Sequence, residues 1–84
     1  MPVVLRAAGY TLFFFSNEGD PREPVNVHVR RSGALAKFWI GPVQLAQSRG
    51  FDARALNDAE RLVAQHEVLI LEAWHEHFGS DGAV

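Results

Sequence analysis

Asn26, His28 and Arg30 stand two apart in a run whose alternate places are filled by Val25, Val27 and Val29. Strict alternation of this kind is the pattern of a β-strand, with the valines on one face and the polar trio on the other. The chain turns at Arg31-Ser32-Gly33-Ala34 and returns through Leu35 to Ile40. With Ser32 and Gly33 as the two central turn residues, Arg30 lies opposite Leu35, His28 opposite Lys37 and Asn26 opposite Trp39. One face of the hairpin then carries a histidine among cations, an amide and an indole. A neutral imidazole can act as a general base, and Arg or Lys can hold a phosphate and its developing charge. Trp39 offers a surface on which a base can stack. The expected catalytic pair is therefore His28 and Lys37, with Asn26, Arg30 and Trp39 as substrate-binding residues. That set suits a metal-independent ribonuclease or a nucleic-acid binder. A second arrangement stays open, in which a helix covers this face, Trp39 joins the core and His28 bonds a backbone carbonyl.

A second group lies at Glu72-Ala73-Trp74-His75-Glu76-His77. Glu72 and His75 share a helical face, but His75 and His77 do not, and no third ligand follows in the spacing. No metal site and no cofactor is expected. Trp74 and Phe78, one helical turn apart, read as core residues or as an aromatic anchor for a partner protein. The chain has no nucleophile elbow, no phosphate-binding glycine loop and no Cys/His metal signature.

These residues need a frame. Val3 to Ala7 and Tyr10 to Ser16 are rich in β-formers and flank Ala8-Gly9, which predicts a hairpin. Phe13-Phe14-Phe15 is apolar on both faces, the mark of a central strand or of one covered on both sides. Residues 17–24 carry Gly, Asp and two prolines and read as a loop, the most mobile segment expected. Val43 to Ser48 is a possible fifth strand. Phe51, Asp52 and Leu56 form a hydrophobic staple around an N-cap, and apolar residues recur at Leu56, Ala59, Val63, Ile70, Trp74 and Phe78 before Gly79. The pattern predicts an α+β fold: a small antiparallel sheet of four to five short strands over residues 3–48, packed with one long C-terminal helix over about 53–78. Such a helix is roughly 39 Å long, more than so small a sheet needs. It either bends near Gln65-His66 or projects toward a partner. Residues 1–84 form a single domain in this reading, with 80–84 as a frayed tail.

Eighty-four residues without a cysteine build one modest core with no disulfide to support it. Oligomerisation or a partner protein is the expected support, and an intracellular, cytoplasmic protein the expected setting. No apolar run approaches the roughly 20 residues of a membrane-spanning helix, and the opening Met1-Pro2-Val3-Val4-Leu5-Arg6 lacks the pattern of a signal peptide. The net charge of −2 hides an asymmetry, +3 over residues 1–49 and −5 over residues 50–84. A basic half can hold phosphate, or the two halves can attract one another.

Taken along the chain, the opening Met1 to Arg6, Gly9-Tyr10, Phe13-Phe14-Phe15-Ser16-Asn17-Glu18, the strand from Glu23-Pro24 to His28-Val29, Ala36-Lys37-Phe38-Trp39, Arg49-Gly50-Phe51 and Leu71 to Glu76 form a combination. It resembles the bacterial domain-of-unknown-function family 4160 over residues 2–79. The resemblance implies a short cytoplasmic protein, often encoded beside a small protein of domain-of-unknown-function family 2442 in a setting like a toxin–antitoxin pair. It implies no established activity. On that ground the expected role is a component of a toxin–antitoxin-like module, directed at RNA through the face around His28. The alternative is a non-enzymatic interaction domain that binds its neighbour's product, or a second copy, through its helix or sheet edge. Family members commonly read Pro-Pro-His-Val-His-Val where this chain has Pro24-Val25-Asn26-Val27-His28-Val29. With Asn26 in the first histidine's place, a paired-imidazole mechanism lacks one partner, while binding is unaffected.

Overall fold

A computed structural model describes residues 2–15 and 24–79. In chain order it contains β1 (Val3–Ala7), β2 (Tyr10–Phe13), β3 (Asn26–Arg31), β4 (Ala34–Trp39), β5 (Gln44–Arg49), α1 (Ala53–Gln65) and α2 (Glu67–Phe78). The expected loop over 17–24 lies almost wholly outside the described residues, as does the tail over 80–84.

The strands pair antiparallel in sequence order, β1-β2-β3-β4-β5. Ala8 and Gly9 turn the first hairpin, and Ser32 and Gly33 the second, all four with positive φ. Two positive φ values in succession match the right-handed twist of the strands they join. The β3–β4 register follows from that turn: Arg30 opposite Leu35, His28 opposite Lys37, Asn26 opposite Trp39.

Alternation sends one face of this sheet inward. Tyr10, Leu12, Phe14, Val27, Val29, Ala36, Phe38 and Ile40 form one cluster with Ala59 and Val63 of α1 and Ile70 and Trp74 of α2. Phe14 meets the Trp74 ring edge-on at 5.4 Å. Burial of the Val, Leu, Ile and Phe side chains among them, worth about 1.5–3 kcal/mol each, is the main force that holds sheet to helices.

The expected single helix is corrected to two distinct helices. At His66 the backbone leaves the helical region, with φ −116° and ψ 24°. Its N–H donates to Val63 O at 3.1 Å, three residues back. The Leu62 carbonyl thereby loses its regular donor, and the His66 ring fills the place, Nδ1 lying 2.9 Å from Leu62 O. A carbonyl can only accept, so the ring carries its proton on Nδ1. The physical reason for the break is size. Five strands spaced about 4.8 Å apart span only ~19 Å, half the length of the uninterrupted helix. Two helices set their own directions, α1 against β4 and α2 against β1.

Capping at the outer ends follows the sequence. Asp52 accepts a bond from Ala55 N at 2.8 Å, and Gly79 ends α2 with φ 88°, its N–H bonding His75 O at 2.8 Å. Among the described residues no helix is long and apolar enough to cross a membrane.

Candidate functional site

Because Val27 and Val29 face the helices, Asn26, His28 and Arg30 face away from them. Strand pairing extends this outer face across the whole sheet. One cross-strand row reads Arg6, Thr11, Arg30, Leu35, Arg49. The next reads Val3, Phe13, His28, Lys37, Gln47, and a third Asn26, Trp39, Gln44. No helix of the described chain covers them.

The sequence-predicted residues do come together here, with different accessibility. His28 is 6% exposed and Asn26 0%. The cover over His28 is aromatic: the Phe15 ring stands edge-on at 4.2 Å and the Phe13 ring lies nearly parallel at 5.6 Å. Asn26 Nδ2 donates to the Pro24 carbonyl at 2.9 Å, which ties the entry of β3. Arg30 is exposed, with its guanidinium over the Phe13 ring at 5.0 Å. Lys37 and Trp39 are half-buried, and the Lys37 ammonium sits 4.5 Å from the centre of the Trp39 ring. Trp39 is thus neither in the core nor under a helix. His28 and Lys37, the expected catalytic pair, are direct register partners.

Trp74 and Phe78 lie elsewhere. Trp74 is 1% exposed and belongs to the core, while Phe78 packs on it at 4.2 Å and on Phe14 at 5.9 Å. Neither is presented to a partner as a free-standing anchor.

Several site residues escaped the sequence reading. Arg6 and Arg49 occupy the two edges of the outer face, Gln47 stands beside Lys37, and Phe13 and Phe15 supply the rings around His28. The signal for Phe13 and Phe15 was present as the apolar run Phe13-Phe14-Phe15 at the end of β2. Arg6 follows from the Ala8-Gly9 turn by regular pairing with Thr11, whereas Arg49 carried no signal, because the bulge in β5 decides which way it points.

Phe15, His28, Leu35, Lys37, Gln47 and Arg49 line a cavity of about 220 Å³ on this face. Sites for whole drug-sized ligands begin near ~300 Å³, so this one admits part of a larger molecule. Its walls supply cations, an amide and rings, a lining suited to a phosphate or a base. Among the described residues, no three His, Asp or Glu side chains converge as a metal site requires.

A two-layer α+β domain, helices on one face and a basic, aromatic-bearing sheet surface on the other, is the class that fold and site define. The chain belongs to the family described as domain of unknown function (DUF4160), whose model matches residues 9–75. No curated protein matches the chain, and no solved structure does.

Proposed function

We propose that the outer face of the sheet binds single-stranded nucleic acid, and that it binds without cleaving. One observation carries this reading: among the described residues, that face holds four cations (Arg6, Arg30, Lys37, Arg49) beside the half-buried rings of Phe15 and Trp39, with Phe13 buried under the Arg30 guanidinium, and no acid. Cations tracking a backbone, with rings for the bases, are the two ingredients of sequence-tolerant single-strand binding. The acids of the described chain lie on or beside the helices: Asp52, Asp58, Glu60, Glu67, Glu72 and Glu76. A polyanion is therefore drawn to one layer and repelled from the other.

Burial of His28 between Phe13 and Phe15 favours binding over catalysis, since a general base must come within hydrogen-bond reach of the proton it removes. In the toxin–antitoxin-like setting that the family resemblance implies, this face would be the RNA-directed part of the module. The alternative, a protein-interaction domain, has Val68 and Leu69 in its favour, exposed on α2 at 70% and 41%. Against pairing through the sheet edge, β1 and β5 each carry a bulge, a common guard against edge-to-edge association.

Fluorescence anisotropy with labelled oligouridine and oligothymidine tests the proposal, with poly-glutamate as a charge-only control. The expected result is binding of an oligonucleotide that weakens steeply with salt, no comparable binding of poly-glutamate, and intact RNA after prolonged incubation. Equal binding of poly-glutamate, or none of either oligonucleotide, overturns it.

A further inference from the structure

The register of the strands places three arginines in a single line. Arg6 pairs with Thr11, Thr11 with Arg30, Arg30 with Leu35 and Leu35 with Arg49. Arginine therefore recurs at every second strand, on β1, β3 and β5, with Thr11 and Leu35 between. All three arginines are exposed. Neighbouring strands are about 4.8 Å apart, so the guanidinium-bearing positions repeat every ~9.6 Å and the line runs ~19 Å from edge to edge. It runs across the strands rather than along them.

We infer that Arg6, Arg30 and Arg49 form a phosphate track that carries a nucleic-acid strand perpendicular to the β-strands, from one sheet edge to the other. The inference rests on the nucleic-acid reading above and adds the path and orientation of the ligand. Guanidinium groups present planar donor forks matched to phosphate oxygens, and a line of them fits a backbone better than an isolated anion. The neighbouring rows fix which way the bases lie. Lys37, with the cavity that it shares with Phe15, His28 and Arg49, comes next, and Trp39 comes after it. The sugar–phosphate backbone follows the arginine row while the bases turn toward Phe15 and Trp39. At the ~3.4 Å spacing of a stacked strand, the track accommodates about six nucleotides, fewer if the strand is unstacked.

The path makes a claim that simple charge attraction does not. Each phosphate contact on a single strand contributes about 0.7 to the slope of log K against log salt. Anisotropy titrations of oligouridine over a salt series, on the full chain and on Arg6→Gln, Arg30→Gln and Arg49→Gln, read those contacts singly. Arg54→Gln, an exposed cation on α1, is the control, and circular dichroism verifies each fold. Each of the three variants is expected to lower the slope by about 0.7, and the triple variant by about 2, while Arg54→Gln leaves it unchanged. If the unmodified chain binds but Arg6→Gln or Arg49→Gln keeps the full slope, the track is wrong and the binding face stands. If the unmodified chain does not bind, the face and the track fall together.

Discussion

His28 sits between two phenylalanine rings, 5.6 Å from Phe13 and 4.2 Å from Phe15, and beside Lys37 in the register. That environment orients an imidazole and dries it; it does not present it to a substrate. Its neighbour Asn26, wholly buried and bonded to Pro24, positions the strand. The accessible chemistry therefore belongs to Arg30, Lys37 and Trp39, with Arg6 and Arg49 at the edges. Trp39 is the ring best placed to take a base, because it is only half-buried, with the Lys37 ammonium over its ring at 4.5 Å. Loss of one base-stacking ring costs about 1–3 kcal/mol, so Trp39→Ala should weaken oligouridine binding by about 5- to 150-fold. The salt slope should stay the same, since no phosphate contact is lost. Unchanged affinity contradicts stacking at Trp39. The hairpin residues were readable beforehand because strict alternation and a two-residue turn determine both face and register. Arg6 was equally within reach, since it pairs regularly with Thr11 from the Ala8-Gly9 turn; Arg49 was not, because counting by twos fails across a bulge. In β5 the register passes from Lys37–Gln47 to Phe38–Leu45, one residue more than alternation allows.

The helices illustrate the same limit at the scale of elements. Leu56, Ala59, Val63, Ile70, Trp74 and Phe78 keep one continuous helical phase, and neither Pro nor Gly interrupts it. Nothing in the spacing marks His66 as a boundary. What breaks the helix is the short reach of the sheet beneath it, and what makes the break tolerable is local: the His66 ring replaces the backbone donor that Leu62 O has lost. Overlength against so small a sheet was visible, and so was the alternative of a bend near Gln65-His66. The choice between a bend and a projecting end required the packed layers. The passage from β5 into α1 is more tightly constrained. Gly50 has φ +87°, and a Cβ there would stand 3.2 Å from both Cα and Cβ of Ala34. A left-handed backbone costs a side-chain-bearing residue about 1–2 kcal/mol, and the Ala34 backbone in β4 has little room to yield. Gly50→Ala should therefore lower the melting temperature by roughly 4–16 °C for a domain of this size, measured by circular dichroism. A melt that does not move would mean the junction relaxes freely.

At the scale of the whole molecule, Arg6, Arg30, Lys37 and Arg49 look away from the helices, while the described acids lie with the helices, together with Arg54, Arg61 and Arg31, whose guanidinium turns to the helix side and donates to Tyr10 Oη. Among the described residues, the outward face of the sheet therefore carries cations without acids, and the helix layer carries an excess of acids. Charge asymmetry was legible in the composition, but its meaning depended on which side of the sheet the helices cover. That choice is made by the valines of β3 and the apolar residues of β4 together, through packing that no local pattern specifies. The central claim is that the face turned away from the helices is the binding face, and the chain contains its own control for it. It has two tryptophans: Trp39 on the outer face and Trp74 in the core, 1% exposed. A ¹H–¹⁵N NMR titration with oligouridine reads both indole N–H signals at once. The account predicts that the Trp39 indole shifts together with the amides of Arg6, Thr11, Arg30, Lys37, Gln47 and Arg49, while the Trp74 indole and the exposed positions of α1 and α2 stay in place. Shifts confined to the helices, with the Trp39 indole unmoved, would contradict it.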